Sequence, residues 1–150
     1  MENKIFLNAD NEIVEYDGSG ISWRVSVYAL VVRDNQLLII KNMLEKLHDI
    51  IGGGIEFGET IEEALYREAM EEGGAKIKIG KLLGTHIGFF YHRKGSFHQT
   101  LQIFYRADLI GNLEKPTEKD IEGVSFVDLK KIGKEYRLPT VVEKIIREKF

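Results

Sequence analysis

Glu68, Glu71 and Glu72 stand three and four residues apart in the stretch GGGIEFGETIEEALYREAMEEGG, residues 52–74. On a helix at about 100° per residue, with Glu68 at zero, Glu71 falls at about −60° and Glu72 at about +40°. Ile61, Ala64 and Leu65 fall at about +20°, −40° and +60°, so the carboxylates prolong the apolar stripe instead of opposing it. A merely solvated acidic helix keeps its carboxylates opposite its apolar face. Like charges on a core-facing side raise one another's pKa and cost stability, and a hard divalent cation with a preference for carboxylate oxygens relieves that cost. Two readings follow, a site for Mg²⁺ or Mn²⁺ and an ordinary surface helix. Glu62 and Glu63 lie off the centre of the stripe and are expected in water.

The chain of 150 residues is 43% hydrophobic and 30% charged, the balance of one soluble globular domain spanning residues 1–150. No apolar run approaches the roughly eighteen residues of a membrane span, and the N-terminus lacks the basic-then-apolar pattern of a signal peptide. Cysteine is absent, which excludes disulfides, thiolate zinc sites and cysteine nucleophiles and fits a cytoplasmic location. A net charge of −3 argues against a nucleic-acid partner, which calls for a basic surplus, and leaves a small anion held through a metal as the expected partner.

The elements that must position the glutamates can be read along the chain. KIFLNADNEIVEY, within the first twenty residues, forms an N-terminal hairpin around Asn8, Asp10 and Asn11. It is expected either to cover a sheet edge or to pair across a homodimer. Two β-rich runs meet at Asp34-Asn35, a hairpin signal, and Val25 to Val32 is apolar enough for a strand buried on both faces. Thr60 with Glu63 makes a capping box for the glutamate helix, Gly73-Gly74 ends it, and Gly52 to Gly54 read as a loop before it. Two long strands follow, joined through HRKGS, then a strand GVSFVDL whose aspartate caps a short turn. A final helix opens with Pro139 at its first position and carries Val141, Val142, Ile145 and Ile146 on one stripe. The pattern is α/β, a mixed sheet with helices on its two faces.

The stretch resembles the Nudix box of the MutT-like, or Nudix, hydrolases, G-x5-E-x7-R-E-U-x-E-E-x-G-U. Gly53, Glu59, Arg67-Glu68, Glu71-Glu72 and Gly74 meet every fixed glycine and polar position; Ala69 and Ala75 take the two aliphatic places, and Ile51 stands where many members have proline. The resemblance implies the Nudix fold, an α/β/α sandwich around a mixed β-sheet. It implies a metal-dependent hydrolase that cleaves the pyrophosphate bond of a nucleoside diphosphate linked to another moiety, by water attack on phosphorus. Glu68, Glu71 and Glu72 would be metal ligands, with the backbone carbonyl of Gly52 a further one. Glu59 and Arg67 would form a supporting salt bridge, eight residues apart and within two turns' reach.

The general base varies within this family. Glu118 and Glu122, in TEKDIEGVSF, are the loop candidates, against the plain alternative of a solvated charged loop. His86, His92 and His98 titrate near neutrality; His86 and His98 are expected to face each other across paired strands, which is as readily structural. Phe89, Phe90 and Tyr91 are candidates to stack on a nucleobase, although strand alternation sends Phe89 and Tyr91 to one face and Phe90 to the other, so some of GFFY is core. Tyr91 lies sixteen residues beyond the box, where similar tyrosines mark diadenosine-polyphosphate hydrolases, and leans the reading toward a nucleotide or dinucleoside polyphosphate. Arg24 is a candidate phosphate contact. The fold's isomerases rely on a cysteine that this chain lacks. The alternative is a Nudix-like nucleotide-binding or regulatory domain that has lost catalysis, and such a domain has no reason to keep every box glutamate.

Overall fold

The computed structural model describes residues 1 and 3–150. Its eight strands are β1 (Phe6–Leu7), β2 (Ile13–Val14), β3 (Ile21–Arg33), β4 (Gln36–Asn42), β5 (Ile51–Gly54), β6 (Lys76–His92), β7 (Ser96–Ile110) and β8 (Ile121–Asp128). Helix α1 spans Ile61–Gly73 and α2 Thr140–Lys149, with a 3₁₀ turn at Leu129–Lys131. The strands make one mixed sheet in the order β2-β1-β6-β7-β3-β4-β8, with β5 paired to β3.

Strand β3 organises it. Its residues Ile21 to Val31 run parallel to β7, while Ser26 to Ala29 pair antiparallel with β5 on the other side. Alternation then divides its side chains between two cores. Val27, Ala29 and Val31 pack with Ala64, Leu65 and Ala69 of α1; Leu30 and Val32 pack with Val142, Ile145 and Ile146 of α2. Each helix thus covers one face, and Val25–Val32 is the doubly covered strand its composition predicts. At the Asp34-Asn35 turn both residues have positive φ, 49° and 61°, the geometry of a tight two-residue hairpin that asparagine and aspartate tolerate. The N-terminal hairpin forms, and β1 pairs in parallel with β6, Leu7 opposite Phe90. It covers that edge of the long β6–β7 hairpin.

Three details depart from the sequence reading. Gly52 to Gly54 are strand, not loop, because β3 supplies ladder partners that a glycine run does not advertise. Pro139 is the N-cap of α2 and not its first helical residue. His98 pairs with Phe90, and His86 with Gln102, so the two histidines are not opposite.

Candidate active site

Helix α1 is fixed at both ends by its own sequence. The Thr60 hydroxyl accepts from the Glu63 N–H, and the Glu63 carboxylate accepts from the Thr60 N–H at 2.8 Å. At the other end Gly74 adopts the left-handed conformation, and its N–H bonds the last-turn carbonyls of Ala69 and Met70. The Glu114 N–H donates to the Gly74 carbonyl at 2.7 Å and the Glu118 N–H to the Glu71 carbonyl at 2.8 Å. These two bonds tie the loop before β8 to the end of α1, bringing Glu118 to the helix. Glu122 is exposed. It falls at the bulge where β8 slips against Lys41 and Asn42, and has no ladder partner.

Arg67 joins the parts. Its Nε donates to Glu59 Oε1 at 2.5 Å and its Nη2 to Glu59 Oε2 at 2.9 Å, a two-pronged pair. Nη2 also reaches the Gly54 carbonyl at 3.1 Å, while Nη1 donates to Glu68 at 2.7 Å and Glu71 at 3.3 Å. One guanidinium therefore clamps β5, the loop after it and two glutamates of α1. A Cβ on Gly53 would stand 2.4 Å from Glu68 Oε1 and would turn that carboxylate away from β5.

Burial makes the acids unusual. Glu68 is only 8% exposed; burial raises its pKa, Arg67 opposes that, and Glu71 and Glu118 reinforce it. Burial pushes Glu72 to about 9, with Glu68, Asp49 and Glu118 adding to the rise and the Gly52 N–H, 3.0 Å away, opposing it. Glu118 is raised by burial, Glu71 and Asp120. Asp49, next to the apolar start of β5, is lifted by burial to about 7.

Glu59 moves the other way, to about 2, chiefly through Arg67 and then the Glu56 N–H. A carboxylate held below its ordinary 4.5 contributes stability that is full above that value and lost as pH falls through the folded one. Glu59→Gln is therefore expected to melt below the native protein at pH 7. The two melting temperatures should converge as pH drops from 4.5 toward 2, which thermal unfolding across pH checks; a constant difference would contradict the brace.

A cavity of about 560 Å³ opens beside β5, over the sheet face that α2 covers farther along. Arg24, Tyr28, His86, Phe90 and Gln102 line it, and it reaches Asp49, Gly52 and Gly53. Arg24 lies against β5, where a Cβ on Gly54 would meet its Nε and Nη2 at 2.7 Å. Among the described residues Arg24 makes no ion pair. Tyr91 packs on Phe97, ring centroids 4.8 Å apart, away from the cavity; Phe89 sits at the cavity margin with its ring on Phe6 at 5.6 Å. Alternation along β6 turns Phe90 inward instead. Asp49 and Gln102 went unnoticed in the sequence, and the available signal for Asp49 was an acid interrupting the apolar run LHDII ahead of the glycines.

A divalent ion takes several oxygen donors at once. Among the described residues no group of three or more Asp, Glu or His side chains stands at mutual ligating distance, since Arg67 engages Glu68 and Glu71, and Gly52 engages Glu72. The chemistry still fits: hard oxygen donors, like charges on one face, and burial that a cation would offset.

The model of the NUDIX domain matches residues 22–148. The chain belongs to the Nudix family. It is a Nudix-type pyrophosphohydrolase, and the N-terminal hairpin lies ahead of the matched region. A protein named ADP-ribose pyrophosphatase, from Methanocaldococcus jannaschii, is 33% identical over 127 residues, which is 83% of this chain and 71% of that protein. A NAD-capped RNA hydrolase NudC from Chromobacterium violaceum is 26% identical over 106 residues, 69% of this chain but only 37% of that protein. Among solved structures, a MutT protein from Methanosarcina mazei superposes with a TM-score of 0.68 at 20% identity, covering 87% of this chain and 95% of that one. A NUDIX hydrolase from Nitrosomonas europaea gives 0.68 at 18%, covering 83% and 86%. At these identities the two structures establish the fold alone, a mixed curled sheet with two helices. Among the described residues no helix is long and apolar enough to cross a membrane.

Proposed function

We propose that the chain hydrolyses the pyrophosphate of a nucleoside diphosphate sugar of the ADP-ribose class, with Mg²⁺ or Mn²⁺ held by Glu68, Glu71 and Glu72 and, as a further donor, the Gly52 carbonyl. The observation that carries this is a continuous one: the glutamate face of α1 meets β5 at Gly52 and Gly53, and the same glycines border a cavity of about 560 Å³, a size suited to a nucleotide-sized ligand. The 33% identity to an ADP-ribose pyrophosphatase supports the sugar. A dinucleoside polyphosphate loses its residue argument, because Tyr91 packs on Phe97.

When bound, the divalent ion supplies Lewis-acid neutralisation of the phosphate oxygens and activates water. The protein's own groups do the rest. Arg67 ties Glu68 and Glu71 to β5 through Glu59 and Gly54, so the helix and the glycine strand keep their relative place. Arg24, unpaired and beside Gly54, offers a planar fork to a phosphate oxygen. Glu118 is the acid we assign to take the proton of the attacking water: its N–H is anchored on the Glu71 carbonyl, and burial, Glu71 and Asp120 make it more basic than an ordinary glutamate. Glu122, at the exposed bulge, is the poorer candidate.

A panel of ADP-ribose, diadenosine polyphosphates and nucleoside triphosphates, each with and without Mg²⁺, tests the reading. The highest kcat/KM is expected for ADP-ribose, with rates abolished by chelator. A preference for the diadenosine compounds would overturn the substrate class. Folded, metal-binding protein that turns over nothing would point to the binding-domain alternative.

A further inference from the structure

Asp49 is a half-buried acid at the cavity wall for which the mechanism above has no use. Its backbone is clamped to β4 in an isolated bridge, with the Ile40 N–H donating to its carbonyl at 2.8 Å and its own N–H to the Ile40 carbonyl at 3.0 Å. The next two residues, Ile50 and Ile51, are sealed in the two cores, so the backbone that carries the side chain is held in place. One carboxylate oxygen accepts the Ile50 N–H at 2.7 Å. The other makes no hydrogen bond, and among the described residues no cation pairs with the group. Asp49 nevertheless lines the cavity.

A carboxylate oxygen free at a concave surface is an acceptor that a ligand filling the cavity covers and must then satisfy with a donor of its own. Phosphate cannot be that ligand, since two anions would meet in a medium of low dielectric. Arg24, in the same cavity and against Gly54, offers the phosphate its place. The cavity is therefore polarised, cationic at one wall and acceptor-bearing at another.

We propose that Asp49 is a specificity-determining residue whose free oxygen accepts uncharged O–H or N–H donors of the substrate's nucleoside, either the vicinal ribose hydroxyls or an exocyclic base amine. The inference rests on the cavity taking a nucleoside diphosphate derivative and goes further by naming the group that reads the nucleoside. A site built around such a bond rejects the analogue that lacks it, because the acceptor is then left buried and unpaired.

The test compares the native chain, Asp49→Asn and Asp49→Ala on ADP-ribose, on its analogues lacking the 2′- or the 3′-hydroxyl of the adenosine ribose, and on the inosine counterpart lacking the amine. Asn keeps the shape and an acceptor for Ile50 while aiming an N–H₂ where an acceptor was, so it guards against mere misfolding of the alanine variant. Native enzyme is expected to lose about ten- to a hundredfold in kcat/KM on one analogue. Loss on a deoxy analogue locates the donor on the sugar, and loss on inosine locates it on the base. Both variants should raise KM for ADP-ribose by a similar factor with kcat little changed, and should no longer distinguish the analogues. Calorimetric binding of AMP, 2′- and 3′-deoxy-AMP and IMP to the native chain and to Asp49→Asn gives the same comparison without turnover. If native protein hydrolyses nothing, the reading of the cavity's reaction fails while calorimetry still judges Asp49. Equal native preference for all analogues, or native discrimination retained in Asp49→Asn, overturns the inference. So does a variant that needs more Mg²⁺ at unchanged KM, since Asp49 would then belong to the metal site.

Discussion

Glu72→Gln is expected to lower kcat by about 10²- to 10³-fold, the scale for removing one preorganised electrostatic element from a phosphoryl-transfer site, while leaving the protein folded. Glutamine keeps the size of the side chain and its acceptor for the Gly52 N–H. What disappears is the charge, and that charge is expensive here: burial, Glu68, Asp49 and Glu118 all oppose it and hold the group at about 9. The sign for stability follows. The folded chain binds this proton more tightly than the unfolded one, whose group titrates near the ordinary 4.5, so metal-free stability falls as pH rises from 4.5 toward 9. Glu72→Gln should flatten that slope and should melt no lower than the native chain at pH 8. Mg²⁺ should raise the melting temperature of the native chain and not of the variant. Thermal unfolding with and without Mg²⁺, beside steady-state rates, checks all three. Native turnover in the variant would remove Glu72 from the site.

Gly52→Ala carries the largest expected structural effect. A Cβ there would lie 2.5 Å from the Val27 carbonyl oxygen and 2.8 Å from the Tyr28 Cα, with the Tyr28 ring at 2.4 Å and φ at +155°. Two of those neighbours are the backbone of the central strand, which cannot rotate aside. Overpacking of this kind costs about 1–3 kcal/mol or more, and relief comes only by moving β5 off β3. That movement would carry the Gly52 N–H away from Glu72 and the Gly54 carbonyl away from Arg67. Stability and turnover are therefore expected to fall together, measured as a lower denaturant midpoint and a lower kcat. Gly123→Ala, with open space around its Cβ and no positive φ, should change neither and serves as the control. A Gly52→Ala protein as stable as the native one would contradict the placement of β5.

The elements that could be read from the sequence are those whose determinants are local. The Thr60–Glu63 box and Gly74 mark both ends of α1, and the stripe that places Glu68 inward is a matter of helical period alone. Asp34-Asn35 likewise announces its own turn. The elements that escaped depend on partners far along the chain. Gly52 to Gly54 have no strand propensity and become β5 only because β3 pairs with them. Alternation in GFFY was plain, but nothing within β6 says which parity faces the cavity; the register against β7 decides for Phe90 over Tyr91. The same register separates His86 from His98. Glu118 and Glu122 look equivalent in TEKDIEGVSF, and a hydrogen bond to Glu71 and a bulge in β8 distinguish them. Asp49 gains its interest from a cavity assembled by five separate strands, the first turns of α2 and the loops between them.

The central claim, cleavage of a nucleoside diphosphate sugar at its pyrophosphate, is tested most directly by ³¹P NMR of the products formed from ADP-ribose and Mg²⁺. Loss of the two coupled diphosphate resonances is expected, with two monoester resonances appearing in equal amounts, AMP and ribose 5-phosphate, without inorganic phosphate. Intact diphosphate after incubation with folded, Mg²⁺-binding protein, or release of inorganic phosphate in place of the two monoesters, would contradict it.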